Sequence, residues 1–160
     1  MPVFYLDTSA LVKRYRSEAG TEVVEQLLKN PRPEDRFFLS ILELTSGILR
    51  LAKAGQLRDA TATQILAQFR SDVRELYKVW PLSEEVAVSA VAVVEQHKLR
   101  SADALHLAAA QTIAGLAPGA LTVMVTSDRE LLTAAEAVRL GVLDPQASGA
   151  AEKVKELRRK

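Results

Sequence analysis

The stretch Val3-Phe4-Tyr5-Leu6-Asp7-Thr8-Ser9-Ala10 runs from four apolar or aromatic residues into an acid and then into a helix-like segment. The pattern predicts a short buried strand, with Asp7 at the junction between this strand and a helix. Three other acids have a comparable place, since each follows an apolar segment and precedes or begins a helical pattern: Glu43, Asp103 and Asp128. Because residues just beyond the strand ends of an open α/β sheet converge on one crevice, we expect the four carboxylates to meet there.

Short β-rich runs alternate with helical patterns along the chain. The runs predict strands at 3–6, 37–40, 78–82, 121–126 and 141–143. This alternation is typical of a parallel sheet of four or five strands covered by helices, which is a three-layer α/β/α sandwich. We place the domain at residues 1–145. Residues 146–160 carry five Lys or Arg and two Glu, and we expect this basic tail to be a frayed helix or a disordered end.

Composition narrows the class of protein. The 160 residues suffice for one core, and the net charge of +1 gives no overall signal for nucleic acid, so affinity for a polyanion must come from a local patch. The absence of cysteine excludes disulfides and thiolate zinc sites, and two histidines are too few for a His-rich metal site. With no leader-like segment and no apolar run of about 18 residues, we expect a cytoplasmic protein without a membrane segment.

Each of the four acids has a structural explanation to set beside a functional one. Asp7 and Asp128 could simply cap helices. Glu43 and Asp103 are harder to explain in this way, because their neighbours are apolar and a buried carboxylate without a partner is costly. Four acids in one crevice repel each other by about 4 kcal/mol per pair at about 4 Å, and nothing in the local sequence neutralises them. Hard oxygen ligands suit Mg²⁺ or Mn²⁺, so we interpret the acids as the metal site of a hydrolase.

The chemistry of such a site suggests a role for each acid. We expect Asp7 and Asp103 to bind the principal metal directly, Asp128 to bind it directly or through water, and Glu43 to orient the attacking water or hold a second ion. Hydroxyl groups next to the acids could donate to their oxygens or could equally be helix caps: Thr8, Ser9, Thr126 and Ser127. His106 lies one turn after Asp103 on an apolar helix, and we interpret it as a packed, hydrogen-bonded histidine rather than a general base.

Five segments resemble a known family. They are 5–13, 43–44, 126–131, 141–145 and the most specific one, 99–110, which reads Leu99-Arg100-Ser101-Ala102-Asp103-Ala104-Leu105-His106-Leu107-Ala108-Ala109-Ala110. Through them the chain resembles the PIN-domain ribonucleases, and most of all the VapC-type toxins of VapBC toxin–antitoxin systems. The resemblance implies the strand order 3-2-1-4-5 and RNA as the substrate, cleaved to a 5′-phosphate and a 3′-hydroxyl. It also implies an acidic tetrad at Asp7, Glu43, Asp103 and Asp128.

The same resemblance implies two protein partners. One is a second copy of the chain, in a homodimer whose acidic crevices lie near one another. The other is a small antitoxin that places a basic side chain, an arginine, into the acidic pocket, where a guanidinium can satisfy carboxylates bidentately. The early helices offer the candidate dimer surface: Leu11, Val12, Val23, Val24, Leu27 and Leu28.

Basic residues could line the rim of the crevice and hold RNA phosphates. Arg100 and Arg129 lie nearest to the acids in sequence and are the candidate phosphate contacts. Four others could also contribute: Lys13, Arg14, Arg16 and Lys53.

Other classes of protein fit the sequence less well. A haloacid-dehalogenase-type phosphatase would need an acid at position 9, which is Ser9, and a Rossmann domain would need a glycine-rich turn after the first strand. Two alternatives stay open: a non-catalytic PIN-fold binding or scaffold module, and a PIN nuclease that processes RNA outside a toxin–antitoxin pair. The presence of all four acids favours an enzyme over a scaffold.

Overall fold

A parallel five-stranded sheet forms the centre of the protein. The computed structural model describes residues 2–29, 36–37 and 40–159. The sheet has the order β3-β2-β1-β4-β5, and every pairing in it is parallel. Its strands are β1 Val3–Leu6, β2 Arg36–Phe37, β3 Lys78–Val79, β4 Thr122–Val125 and β5 Gly141–Leu143. The predicted parallel sheet and its strand order are confirmed.

Helices cover both faces of this sheet. A short 3-10 turn over Val12–Arg14 follows the first of them, and the helices are α1 Thr8–Leu11, α2 Thr21–Leu28, α3 Ser40–Lys53, α4 Asp59–Glu75, α5 Glu84–His97, α6 Ser101–Leu116, α7 Arg129–Ala137 and α8 Ala150–Arg159. Side chains alternate across β1, as the strand period requires. Phe4 and Leu6 lie in a core shared with α1, α2, α3, α4 and α8, whereas Val3 and Tyr5 lie in a second core with α5, α6 and α7. The three-layer α/β/α architecture is thus confirmed.

Three strands end earlier than the sequence predicts, and for β4 the difference is one residue, since it ends at Val125 instead of at Thr126. β2 covers Arg36–Phe37, and Ser40 is already the first residue of α3, so the prediction of a strand over 37–40 is wrong at its end. Positions 38 and 39 lie outside the described residues. β3 ends at Val79, two residues before Pro81, which has no amide hydrogen to donate to a strand ladder.

The strand register carries two of the chain's polar junctions to the same edge. Leu6 of β1 pairs with Val125 of β4, so Asp7 and Thr126 leave the sheet side by side. The amide of Asp7 donates to the carbonyl of Val125 at 3.2 Å and extends this pairing by one residue. The carboxyl edge of the sheet therefore begins with Asp7 and Thr126, and helices that start near this edge complete the site.

The C-terminal segment is an ordered helix packed against the first core, so the expectation of a frayed or disordered end is wrong for residues 150–159. Ala150, Val154 and Leu157 are buried, and α8 packs mainly against α2. Arg158 donates to the carbonyl of Leu27, and its guanidinium lies 5.4 Å from the centre of the Phe4 ring. The division of the chain at residue 145 stays a prediction.

The candidate dimer surface on the early helices is not available at the surface. Leu11, Val24, Leu27 and Leu28 are buried in the first core, and Val12 and Val23 pack against that core. The prediction rests on the expectation that these side chains exceed what one sheet face can cover. It is wrong as a dimer surface, because α8 and the other helices of the first core cover them. Within the described ranges, no helix is long and apolar enough to cross a membrane.

Candidate active site

The four acids predicted to converge line one pocket of about 530 Å³ at the carboxyl edge of the sheet. Asp7 arrives from the end of β1, Glu43 from the first turn of α3, Asp103 from the first turn of α6, and Asp128 from the residue before α7. The remaining lining residues form a second polar group and an apolar wall: Thr8, Ser9, Arg50, Arg100 and His106, with Val12, Leu44, Gly47, Ile48 and Leu51.

Asp7 is the most buried of the four acids, at 4% exposure. Its Oδ1 caps α1 by accepting from the amide of Ala10 at 3.1 Å. The hydroxyl of Ser9 donates to both carboxylate oxygens, at 2.9 and 3.1 Å, and Thr126 donates to Oδ2 at 2.9 Å. Asp7 is therefore both the helix cap that the sequence allowed and a carboxylate fixed inside the pocket.

The electrostatics of Asp7 favour a nearby cation. Burial raises the pKa of Asp7, and the positive field of His106 together with the hydrogen bonds from Ala10, Thr126 and Ser9 opposes that rise without cancelling it. No Lys or Arg of the described chain forms an ion pair with Asp7. The ionised form of a buried carboxyl with a raised pKa is stabilised when a positive charge binds next to it.

Glu43 is held by two donors that converge on one of its oxygens. The hydroxyl of Thr8 donates to Oε2 at 2.7 Å, and Nε2 of His106 lies 2.7 Å from the same oxygen. Burial acts to raise the pKa of Glu43, but the hydrogen bonds from His106 and Thr8, together with the charges of His106 and Arg100, outweigh burial, so the pKa is lowered overall. Since an ionised carboxylate can only accept, Nε2–H of His106 is the donor.

Tyr5 completes this chain of hydrogen bonds from the other core. Its hydroxyl lies 3.1 Å from Nδ1 of His106, and the two rings meet edge to face. Burial, and then the charges of Asp7 and Glu43, raise the pKa of Tyr5, so the phenol keeps its proton. The interpretation of His106 as a packed, hydrogen-bonded histidine agrees with its 1% exposure, although the sequence did not indicate its partners.

Arg100 joins the remaining two acids. Its Nε donates to Oδ2 of Asp103 at 2.9 Å, and its Nη2 donates to Oδ2 of Asp128 at 3.2 Å. The other oxygen of Asp128 caps α7 by accepting from the amide of Leu131 at 3.0 Å. The expectation that nothing local neutralises the acids is therefore wrong: Arg100 neutralises two of them, and His106 contacts a third.

The hydroxyl residues predicted beside the acids differ in their roles. Thr8, Ser9 and Thr126 donate to acid oxygens as described, and Thr126 also accepts from the amide of Asp128 at 3.0 Å. Ser127 is the exception, since it contributes its backbone amide, which donates to Ser9 Oγ at 2.9 Å, while its own hydroxyl has no partner among the described residues.

The predicted basic rim is only partly present. Lys13 is buried and paired with Glu18 at 2.9 Å, and Arg14 is paired with Asp72 at 2.8 Å, so both are wrong as rim residues. Arg129 is exposed but lines neighbouring depressions rather than the acidic pocket, and Lys53 lines a shallow groove on α3. Sequence reasoning missed Arg50, which lines the acidic pocket from α3. Its position seven residues after Glu43, two turns along the same helix, was the available signal.

The chemistry of the acids fits a hard divalent cation, but Arg100 and His106 contact three of them. Four carboxylates, one of them buried with a raised pKa, are the ligands that Mg²⁺ and Mn²⁺ prefer. In the arrangement of the described side chains, no three acidic or histidine groups are gathered around one point. Two of the four acids face the Arg100 guanidinium instead, and Glu43 faces His106.

Known proteins resemble this chain in sequence and in fold. The PIN domain family model matches residues 4–137. Ribonuclease VapC35 from Mycobacterium tuberculosis is 36% identical over 146 residues, which is 89% of this chain and 97% of that protein.

Solved structures agree on the fold. A chain of FitAcB from Neisseria gonorrhoeae superimposes with a TM-score of 0.69 at 18% identity, covering 91% of this chain and all of that one. A chain of a toxin–antitoxin complex from Klebsiella pneumoniae gives a TM-score of 0.61 at 20% identity, covering 88% of this chain and 96% of that one. Given the extent of the sequence matches, the chain belongs to the PIN domain family.

Proposed function

We propose that this protein is a divalent-metal-dependent endoribonuclease that hydrolyses RNA phosphodiester bonds, and that it acts as the toxin of a type II toxin–antitoxin pair. The observation that carries the proposal is the meeting of Asp7, Glu43, Asp103 and Asp128 in one pocket at the carboxyl edge of the sheet. The similarity to Ribonuclease VapC35, which extends over most of both chains, supports the choice of RNA as the substrate.

The four acids would have different roles in binding the metal and in orienting the water that attacks the phosphodiester. Asp7 and Asp103 would hold the principal ion, Asp128 would hold it directly or through water, and Glu43 would orient the attacking water or hold a second ion. A bound Mg²⁺ or Mn²⁺ supplies positive charge for the scissile phosphate and makes water easier to deprotonate. Cleavage would leave a 5′-phosphate and a 3′-hydroxyl.

The groups behind the acids would keep them in place during the reaction. Ser9 and Thr126 hold both oxygens of Asp7, so this carboxylate has little freedom to rotate. Thr8 and His106 occupy one oxygen of Glu43, and Oε1, to which no described side chain donates, would accept a hydrogen bond from water. Fixed ligand orientation of this kind reduces the reorganisation that catalysis requires.

The RNA backbone would be held by the cations near the pocket. Arg100 and Arg129 flank Asp128, and Arg50 lies on the pocket wall. The two candidate phosphate contacts would be Arg100 and Arg129, with Arg50 as a further one. Such contacts fix the position of the strand and carry little sequence information.

A small antitoxin would block this pocket in the cytoplasm. The apolar wall of Leu44, Ile48 and Leu51 stands beside the acids and suits a segment that combines apolar side chains with an arginine. One of the solved structures with this fold is a toxin–antitoxin complex, which is in keeping with such a partner. We also propose that the toxin is a homodimer.

RNA cleavage by the purified protein tests the proposal directly. Protein dialysed against EDTA should be inactive, and Mg²⁺ or Mn²⁺ should restore cleavage of a labelled RNA. Asp7→Asn and Asp103→Asn should each abolish it, whereas Asp59→Asn, an exposed acid at the start of α4, should leave it unchanged. Undiminished cleavage in EDTA, or by both site variants, would overturn the assignment. Cleavage by the wild-type protein that a cognate antitoxin does not inhibit would favour an RNA-processing role instead.

A further inference from the structure

We propose that Arg100 is the exchangeable cation of the active site: its guanidinium neutralises Asp103 and Asp128 until a divalent cation replaces it, and then binds a phosphate of the RNA. The inference rests on the proposed function, since it takes these acids as metal ligands. Arg100 would compete with the metal for Asp103 and Asp128, and after its release it would contact the substrate.

Arg100 pairs with two acids from a solvent-exposed position, from which a competing cation could displace it. It donates to Oδ2 of Asp103 at 2.9 Å and to Oδ2 of Asp128 at 3.2 Å, so one guanidinium joins acids from two helices. The side chain of Arg100 is 75% exposed, while those of Asp103 and Asp128 are 12% and 26% exposed. Arg100 thus covers the acids from the solvent side, and an exposed ion pair of this kind is weak enough to exchange.

The other two acids are held in a different way. Asp7 receives hydrogen bonds from Ser9, Thr126 and a backbone amide, all of them uncharged and fixed within the fold. Glu43 faces Thr8 and the buried His106. Among the described residues, Asp103 and Asp128 are the only two of the four acids that an exposed cation contacts. Release of Arg100 would free an oxygen on each of these acids, and the donor set now lacks a third converging ligand.

The local structure fixes the pivot of Arg100 and leaves its side chain free to turn. Arg100 is the residue before α6, with an extended backbone (φ −66°, ψ 155°), and its side chain does not cap the helix. Asp103 lies three residues later in the first turn. When the guanidinium leaves the acids, its Cα stays at the rim of the pocket. A planar guanidinium fork then matches the phosphate of a strand lying over the metal site.

Metal affinity separates this role from a plain structural ion pair. We compare the wild-type protein with Arg100→Gln in a titration with MnCl₂ alone, followed by calorimetry. Arg100→Gln should bind Mn²⁺ about two- to fivefold more tightly, because a competing ion pair has been removed. Arg50→Gln is the matched control, since Arg50 lines the same pocket and forms no ion pair within the described chain. An equal gain in both variants, or a loss in Arg100→Gln, would overturn the proposal.

RNA binding supplies the second readout. Fluorescence anisotropy of a labelled oligoribonucleotide, measured with and without Ca²⁺, reports how far the metal strengthens RNA binding. In the wild-type protein the metal should release Arg100 to the RNA, so the gain in RNA affinity should be larger than in Arg100→Gln. Equal gains in the two proteins would contradict a shared guanidinium.

The two proposals can fail separately. If wild-type protein binds Mn²⁺ and cleaves RNA while Arg100→Gln gains no metal affinity, the exchange role of Arg100 is wrong and the nuclease assignment stands. If neither protein binds Mn²⁺ at millimolar concentration, the metal-dependent function fails, and the role of Arg100 fails with it.

Discussion

Nε2 of His106 lies 2.7 Å from Oε2 of Glu43, although 63 residues separate the two in sequence. The contact links α6 to α3 in the lining of the acidic pocket, and Tyr5 of the central strand contacts the other ring nitrogen of the imidazole. A buried residue that never faces the solvent thereby sets the direction of a carboxylate that does. His106 acts on the site through Glu43, as a positioning residue.

The first prediction tests this positioning role with isosteric replacements. In His106→Gln the amide nitrogen can take the place of Nε2 and still donate to Glu43, so this variant should keep more RNA cleavage than His106→Asn, whose shorter amide cannot reach. His106→Ala should lose activity and about 2–4 kcal/mol of unfolding free energy, because it leaves a cavity and two polar groups without their partner. Cleavage rates and urea denaturation measure both effects.

His97→Ala is the control for His106, since His97 lies near the end of α5, away from the acidic pocket. If His106→Gln and His106→Asn lose activity equally and fold normally, the contact with Glu43 does not position it.

The second prediction concerns the charge on Asp7. Because burial raises the pKa of Asp7, the ionised carboxylate opposes folding near neutral pH in the absence of a cation. Asp7→Asn should therefore abolish cleavage while leaving the melting temperature in EDTA unchanged or higher. Mn²⁺ should raise the melting temperature of the wild-type protein and have a smaller effect on the variant. A large loss of stability in EDTA would instead make Asp7 mainly a helix cap.

The sequence contained enough information for the sheet and for the composition of the site. β1 and β4 are almost wholly apolar runs, which is how strands buried on both faces appear in sequence. Because parallel strands place their carboxyl ends at one edge, the position of Asp7 and Asp128 after such runs was sufficient to predict that they meet. Glu43 and Asp103 followed from their apolar surroundings.

What the sequence did not provide were the partners of the acids. Arg100 stands three residues before Asp103, a spacing that permits an ion pair, but its second contact with Asp128 depends on how α6 and α7 pack. The contact between His106 and Glu43 is likewise a product of tertiary structure. Single-sequence patterns report local period and burial. They indicated which residues share the carboxyl edge of the sheet, but not which of these side chains pair with one another.

A third prediction concerns the buried Asp72, which Arg14, Tyr15 and Gln68 contact at 2.8 Å each. Burial acts to raise the pKa of Asp72, but the hydrogen bonds from these residues and the charge of Arg14 outweigh it, so the pKa is lowered. A carboxyl with a lowered pKa stabilises the fold above its unfolded pKa of about 3.9 and loses that contribution as the pH falls through the folded value. Stability should therefore decline below about pH 4.

Asp72→Asn checks the origin of that decline. The variant should lose about 2–4 kcal/mol of unfolding free energy at pH 7, because the ion pair with Arg14 is broken in a buried setting. Its stability should then fall less steeply in acid than that of the wild-type protein. Asp59→Asn, which changes an exposed acid on the same helix, should keep the wild-type pH profile in urea denaturation. If the unfolding free energy of Asp72→Asn falls with decreasing pH below about pH 4 as steeply as that of the wild-type protein, Asp72 is not the origin of the decline.

The fourth prediction concerns the homodimer. Light scattering at micromolar concentration should give about twice the chain mass of 17.5 kDa. Because the early helices are covered by the fold, the contact must use other apolar side chains, and Val88 and Val91 on α5 are 65% and 59% exposed. Val91→Glu should reduce the mass toward that of one chain if α5 takes part. A monomer in the wild-type protein would defeat the dimer and leave the nuclease assignment untouched.

The fifth prediction concerns α8, which the charged sequence of the tail concealed. Ala150, Val154 and Leu157 recur at spacings of four and three residues, which places them on one face of a helix, and that face is buried against α2. Leu157→Ala should therefore cost about 2–4 kcal/mol of unfolding free energy, as expected for truncation of a buried leucine. Lys155→Ala, which changes an exposed residue of the same helix, should cost almost nothing. If urea denaturation gives the same stability for Leu157→Ala and wild type, α8 is not part of the core in solution, and a chain ending at residue 149 should then fold normally.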